Sequence, residues 1–407
     1  MVATKHHVDA RPEAGLDFDD PGFQANPFPV LARLRESGPI HAMALPDGRR
    51  AWLVTRFEDA TRLLQDARIS TVPPLDHLPV WRSPALMRLS QPSMLSVDAL
   101  DHQRLRGLVS RAFTPRFIEG LRPRIQDIAN TLIDAVLPRG EMEFIDDFAF
   151  PLPITVIGEM LGIPAEDRPR LRGWSAVLID AIAMRDDDEH EARAQEFADY
   201  LSALIESKRR DPRDDLVSQL VRAEQDGSRL SSQEVRAMIV LLIVAGHETT
   251  VNLLGNGLVA LFTYPEQLDA LRQDIGRVPA AVEELLRFCG PALASTVRYA
   301  VTDLEVGGTN IHTGEVLVIS LASADRDAAR FHSPDTHDIA RPGSKHLAFG
   351  HGIHFCLGAP LARLEAQVAL TTLLRRLPGL RLNTTPDRLR WRGNMLLRGI
   401  QALPIAF

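Results

Sequence analysis

The longest continuous helical pattern in the chain covers residues 231–262, and it limits the architecture more than any other stretch. At about 1.5 Å per residue such a helix is ~48 Å long, enough to cross the whole molecule. The remaining elements therefore have to pack round it. Ser231 and Ser232, with Glu234 close behind, supply an N-cap and a nearby acid. Near the middle lies Ala245-Gly246-His247-Glu248-Thr249-Thr250. A glycine inside a helix costs about 1 kcal/mol relative to alanine, so Gly246 marks a place where space is needed. The Thr249 hydroxyl can return to the carbonyl of Ala245, four residues back, which loosens and bends a helix. A small residue, a glycine, an acid and a hydroxyl outline a groove where dioxygen and water could sit beside a metal, with Glu248 and Thr249 relaying protons. The same residues also read as a packing glycine and a capping-type threonine in a core helix.

Around this pattern the chain reads as helices with a few strands. Asn26-Pro27 opens a short helix through Leu31, Leu34 and Arg35, stopped at Gly38-Pro39. Residues 40–45 and 51–55 flank Pro46-Asp47-Gly48 and predict a hairpin, and residues 57–66 return to helical spacing. Five prolines within residues 71–97 predict a long loop with short helical pieces at most. Residues 101–224 are almost wholly helical, and the charged stretch 184–196 reads as a solvated junction between helices. Residues 279–288 form another helix, residues 296–321 a small β-sheet, and the chain from Leu380 onward is strand-like. The fold class is mainly α with small β-sheets, α+β. With no linker, repeat or low-complexity tract, residues 1–407 read as a single domain.

Composition narrows the classes further. With 45% hydrophobic and 24% charged residues the chain is ordinary globular protein, and a net charge of −7 argues against nucleic acid as a partner. Apolar runs are shorter than the ~20 residues needed to span a bilayer, and the first 15 residues lack a signal-peptide core. Cys289 and Cys356 are the sole cysteines, which leaves no disulfide framework and fits a reducing cytoplasm. Cys289 reads as a small apolar filler.

Cys356 sits in Phe349-Gly350-His351-Gly352-Ile353-His354-Phe355-Cys356-Leu357-Gly358, directly before an apolar helical pattern over residues 359–374. Gly350, Gly352 and Gly358 let the backbone turn back on itself and approach a bulky group. A thiolate at the mouth of a helix gains from the N-terminal dipole and from N–H groups aimed at the sulfur. The Phe-Gly-x-Gly-x-His-x-Cys-x-Gly pattern resembles the haem-binding loop of the cytochromes P450, where the cysteine is the axial thiolate. The hexad at 245–250 resembles the oxygen-activation motif of that family's long helix.

The resemblance implies a P450 fold with haem b between the long central helix and the cysteine loop and its helix. It implies Cys356 as metal ligand, Glu248 and Thr249 as catalytic, and His102, Arg106, Arg298 and His354 as propionate partners. Ala245, Gly246, Phe349 and Gly358 complete the cofactor site. Glu284 and Arg287, one turn apart, with Arg341 resemble the family's buried charge network behind the cysteine loop; Glu283 reads as an exposed neighbour, and His247 as a filler. The family's pocket regions correspond here to Val80, Leu86, Met87, Leu95, Val240, Ile243, Leu293 and Leu396, which implies a large lipophilic substrate. The hexad, Val251-Asn252-Leu253-Leu254-Gly255-Asn256-Gly257 and Arg398-Gly399-Ile400 look most like bacterial members that oxidise macrolides, other polyketides or sterol-like molecules.

The activity implied is a haem-thiolate monooxygenase that hydroxylates or epoxidises a lipophilic small molecule. Electrons from NAD(P)H would arrive through ferredoxin reductase and ferredoxin, docking on a basic patch that includes Arg104, Arg111 and Arg363. A cytoplasmic monomer is expected, with no membrane and no nucleic-acid partner. Two other readings stay open: an oxidase that forms rings, couples phenols or desaturates, and a haem-containing binding or sensor protein without turnover.

Overall fold

The computed structural model describes residues 16–45, 48–74, 85, 88–89, 92–182, 188–225, 230–343 and 345–407. Its longer helices in chain order are α1 (Phe28–Ser37), α2 (Ala99–Val109), α3 (Arg122–Val136), α4 (Pro151–Leu161), α5 (Arg168–Ile182), α6 (Asp188–Arg210), α7 (Leu216–Gln225), α8 (Ser232–Thr263), α9 (Val278–Cys289) and α10 (Ala359–Arg376). Helices α1, α3, α4, α9 and α10 each carry a proline in the first turn, where the missing N–H has no intrahelical partner to lose.

The start of α8 is fixed by a reciprocal cap. Ser231 Oγ accepts from the Glu234 amide at 3.2 Å, and the Glu234 carboxylate accepts from the Ser231 amide at 2.7 Å. Beyond the cap, Val235, Met238, Ile239, Leu242, Leu254 and Leu258 are buried on several sides of the helix. A helix apolar all round belongs inside a core, and α8 packs against α4, α5, α7, α9 and α10. Length and hydropathy alone would let it cross a membrane, but 72% of its most apolar window is buried within the protein. Ile125 and Ile133 of α3, Ile157 of α4, Leu285 of α9 and Leu370 of α10 belong to the same apolar cluster.

The strands are β1 (Ile40–Ala44), β2 (Arg50–Val54), β3 (Ile69–Ser70), β4 (Glu141–Glu143), β5 (Arg298–Ala300), β6 (Leu304–Val306), β7 (Thr309–Ile311), β8 (Val316–Ile319), β9 (Arg381–Leu382), β10 (Trp391–Gly393), β11 (Arg398–Ile400) and β12 (Pro404–Ala406). The expected hairpin is β1–β2, antiparallel with Ala42 opposite Trp52. Residues 296–321 do not make one sheet of their own. Strands β5 and β8 join the hairpin in a five-stranded sheet of order β1-β2-β8-β5-β3, while β6 and β7 form a separate pair. The join is parallel, Ala51 opposite Val316, a pairing between distant segments that local alternation cannot reveal. Strands β10 and β11 form a C-terminal hairpin beside α8. The proposed pocket residues Val80, Leu86 and Met87 lie outside the described residues.

Candidate active site

The cysteine loop is held by its own backbone. Cys356 N donates to the Phe349 carbonyl at 2.9 Å, and Gly350 N to that of Leu347 at 2.7 Å. Gly352 has a φ of 74°, and a Cβ there would come within 2.3 Å of the Leu64 carbonyl oxygen, so only glycine fits. The Gly358 and Ala359 amides aim at the Cys356 sulfur from the start of α10. Burial nevertheless pushes the Cys356 thiol up, outweighing those amides and the Arg106 and Arg363 guanidinium groups. A thiol in this position is one that a metal would deprotonate on binding.

Cys356 faces a cavity between the loop and α8 with an empty volume of about 1430 Å³, its mouth included. His102, Arg106, Arg298, Phe349, His354 and Gly358 share its wall. The His102 ring lies 4.5 Å from that of His354; its Nε2 is buried without a hydrogen-bond partner among the described residues, as is Nδ1 of His354. Burial, His354 and Arg106 push His102 down to about 4. His354 Nε2 approaches Asp98 at 3.4 Å. Burial alone would raise the Asp98 carboxyl, but bonds from His354, Ser70 and Thr71 hold it well below the carboxylate range. Burial lowers Arg298 to about 10, and Arg106 Nη1 donates to the Ile353 carbonyl at 3.1 Å.

On the opposite wall stand Ala245, Gly246 and Thr249. Thr249 Oγ1 donates to the Ala245 carbonyl at 2.9 Å, the back-bond that the spacing predicts. A Cβ on Gly246 would lie 3.0 Å from Ile157 Cγ1, so the glycine admits α4 as well as opening the cavity. Glu248 does not share the wall. Its carboxylate pairs with Arg392 of β10 at 2.9 Å and accepts from Asn252 at 3.2 Å, because successive residues on a helix face different ways. His247 is fully buried away from the cavity, with Nδ1 2.7 Å from the Ile243 carbonyl and Nε2 3.1 Å from Ser175 Oγ.

Of the described pocket candidates, Leu95 lines the cavity. Val240 and Ile243 turn into the core, and Leu241 and Leu242 take their place on the wall. Leu293 packs with Phe23 and Leu31, and Leu396 against the cluster under the five-stranded sheet. Sequence reading missed Glu365, an acid on the cavity wall. Its signal was an acid within the apolar run Leu361, Leu364, Ala366, Val368 of α10.

Behind the loop, Glu284 and Arg287 are not a surface pair but are 3% and 2% exposed. Arg287 donates to both Glu284 oxygens at 2.8 Å and to the carbonyls of Asp325 and Pro334. Arg341 Nε reaches the same carboxylate at 3.1 Å. Asp325 extends the cluster by accepting from the Leu347 amide at 2.6 Å; burial pushes its carboxyl up to about 7. Glu283 is no idle neighbour. It binds Arg363 at 2.6 and 2.8 Å and His346 at 3.2 Å, and Arg363 lies 4.5 Å over the Phe349 ring. Arg104 is likewise engaged, by Asp101 and Glu234, so two of the three expected docking cations neutralise acids of this chain. Cys289 is buried, and desolvation pushes its thiol up to about 12.

Residues 174–399 match the family model for cytochrome P450. Cytochrome P450 monooxygenase PikC of Streptomyces venezuelae is 46% identical over 387 residues, 94% of this chain and 91% of that protein. The polyketide biosynthesis cytochrome P450 PksS of Bacillus subtilis is 41% identical, covering 94% of this chain and 96% of that protein. A crystal structure of the myxobacterial cytochrome P450 CYP267B1 in complex with myristic acid superposes with a TM-score of 0.90 at 43% identity, over 96% of this chain and 98% of that one. The fold and site define a cofactor cavity with a cysteine sulfur on one wall and one long helix on the other. The chain belongs to the cytochrome P450 family and is a monooxygenase.

That family's prosthetic group is haem, and the residues present fit it. The sulfur stands on one wall and small residues on the other, while imidazole nitrogens without a hydrogen-bond partner among the described residues, the buried Arg298 and the half-buried Arg106 suit a pair of propionates. Among the described residues no group of three or more His, Cys, Asp or Glu could hold a bare metal ion.

Proposed function

We propose that the chain hydroxylates or epoxidises a lipophilic polyketide-like molecule, with Cys356 as the residue that would bind the haem iron. One observation carries the reading: Cys356 Sγ and the Thr249 hydroxyl share a single cavity, with a cationic and imidazole rim at His102, Arg106, Arg298 and His354. When bound, haem supplies the activation of dioxygen that inserts one oxygen atom into a C–H or C=C bond. His102, Arg106, Arg298 and His354 would hold its propionates. Phe349 and Gly358 shape the sulfur's surroundings, and Ala245 and Gly246 leave room opposite it.

Thr249, anchored on the Ala245 carbonyl, presents its hydroxyl to the cavity and passes protons there. Glu248, the acid next to Thr249 and paired with Arg392, feeds that relay once the pair opens. The apolar wall at Met94, Leu95, Leu241, Leu242 and Ala292 orients the substrate and excludes water, and the PksS relative supports the polyketide class. Electrons come from NAD(P)H through ferredoxin reductase and ferredoxin to a cytoplasmic, single-domain monomer free of membranes.

Incubation with polyketide lactones, NADPH and both redox proteins under isotopically heavy dioxygen tests the reading by mass spectrometry. One heavy oxygen atom in the product is expected. Products that are desaturated or cyclised without label would favour the oxidase alternative and overturn the oxygen insertion.

A further inference from the structure

Asp98 stands directly before α2, where an aspartate ordinarily caps its own helix by accepting from an amide of the first turn. Its side chain makes no such bond. The carboxylate turns instead to distant parts of the chain. It accepts from the Ser70 hydroxyl, from the Thr71 hydroxyl at 2.9 Å and amide at 3.2 Å, and from His354 Nε2 at 3.4 Å. Burial works against an ionised carboxyl there, and the bonds from His354, Ser70 and Thr71 outweigh it. An ionised carboxylate can only accept, so Nε2 carries the hydrogen of the contact with His354. The ring nitrogen left over is Nδ1, which is buried and has no hydrogen-bond partner among the described residues.

The segments that meet at Asp98 are the ones that carry the rim of the cavity. Helix α2 carries His102 and Arg106, and the cysteine loop carries His354. Ser70 of β3 pairs with Tyr299 of β5, next in sequence to Arg298. His102 follows Asp98 by one turn, and its ring packs against that of His354. Asp98 is also the charge that favours the buried Arg298 guanidinium against its desolvation. An acid kept only to pin β3 to α2 would have no use for an imidazole of the loop. Asp98 gives up its own helix cap and reaches all three segments.

We propose that Asp98 is the positioning residue of the propionate rim: it fixes the His354 ring with Nδ1 as the nitrogen left for a propionate, and its charge steadies Arg298. It acts through these two residues and touches neither cofactor nor substrate. Around metal sites a carboxylate behind a histidine fixes the ring in the same way, and its loss weakens what the histidine holds by about 10–100-fold. Loss of the Asp98 charge also leaves the rim more positive, which favours the reduced state of the iron. The proposal rests on the haem reading, since propionates are what the rim would hold.

The test uses the full-length, haem-loaded protein as wild type, Asp98→Asn, His354→Ala and the double variant. A reduced carbon monoxide band near ~450 nm in the wild type shows the thiolate site; its absence would sink the haem reading and the proposal with it, whereas the outcomes that follow bear on Asp98 alone. Haem transfer to excess apomyoglobin measures how fast each protein gives up its cofactor, and spectroelectrochemical titration gives its reduction potential. Asp98→Asn should lose haem about tenfold faster than wild type and show a higher potential. In the His354→Ala background the same substitution should change the loss rate far less, because the ring that Asp98 positions is gone. An equal fold-change in both backgrounds overturns the proposal and leaves Asp98 a structural tie between β3 and α2. So does an Asp98→Asn protein with wild-type loss rate and potential. Should Asp98→Asn take up no haem, Asp98→Glu decides, because it keeps the charge. It should load haem and hold a potential near that of wild type, and an Asp98→Glu protein that loses haem as fast as His354→Ala overturns the proposal too.

Discussion

Behind the cysteine loop, Glu284 is gripped by Arg287, Arg341 and a backbone amide, and Glu283 by Arg363 and His346. On the cavity side, Glu365 has no hydrogen-bond partner among the described residues and Glu248 pairs with a half-exposed arginine. The first region is saturated with matched charges, and the second keeps its acids loosely held. Buried charges left unpaired destabilise a fold, so a scaffold pairs them all. Groups that must gain and lose protons are better left without tight partners, which would pin their state. The sulfur thus has a charge-paired, rigid side behind it and a side with more loosely held, protonatable acids facing the cavity.

The largest expected effect comes from breaking the rigid side. Glu284→Ala leaves Arg287 buried without its counter-ion, which costs about 3–5 kcal/mol. Thermal denaturation should show a large fall in Tm and purified protein should contain little haem. A variant with wild-type Tm and full haem would erase the contrast between the two regions.

On the protonatable side, Thr249→Ala removes the hydroxyl that faces the cavity. Most of the NADPH oxidised should then appear as hydrogen peroxide, measured as peroxide released per NADPH; fully coupled turnover would count against the relay.

The pH dependence of stability sharpens the contrast because the two acids have opposite signs. Glu365 is raised from 4.5 to about 8, so the native state holds its proton more tightly than the unfolded chain. Its contribution is fully present below pH 4.5 and declines as pH rises to about 8. Glu365→Gln should therefore gain in Tm relative to wild type between pH 5 and 8, and a constant difference would mean the acid is already ionised.

The smallest effect belongs to Glu283, which is depressed to about 2, burial opposing the shift and His346 and Arg363 prevailing. Its contribution is present above pH 4.5 and is lost as pH falls toward 2. For a partly exposed pair it is worth no more than about 1 kcal/mol. Urea midpoints of wild type and Glu283→Gln should differ slightly at pH 7 and draw together in acid.

Features carried by local spacing were legible in the sequence. The long helix falls one residue from its expected ends, the Thr249 back-bond lies where a four-residue return puts it, and β1 and β2 pair antiparallel as expected. Features that depend on a distant partner were not. That Glu248 turns to Arg392, that Asp98 binds His354, and that β2 pairs with β8 are set by tertiary packing. The pocket leucines show an intermediate case: the right helix was chosen, but its phase was not, so Leu241 and Leu242 stand where Val240 and Ile243 were expected. Glu365 was overlooked although an acid inside an apolar stripe was visible, because spacing does not say whether such an acid is paired.

The most direct test of the central claim is the reduced carbon monoxide difference spectrum of wild type and Cys356→Ser, each reconstituted with haem. The wild type should show a band near ~450 nm that the serine variant lacks, as expected of a thiolate ligand at that residue. A wild-type band near ~420 nm in intact protein, or a ~450 nm band surviving in Cys356→Ser, would contradict Cys356 as the haem ligand.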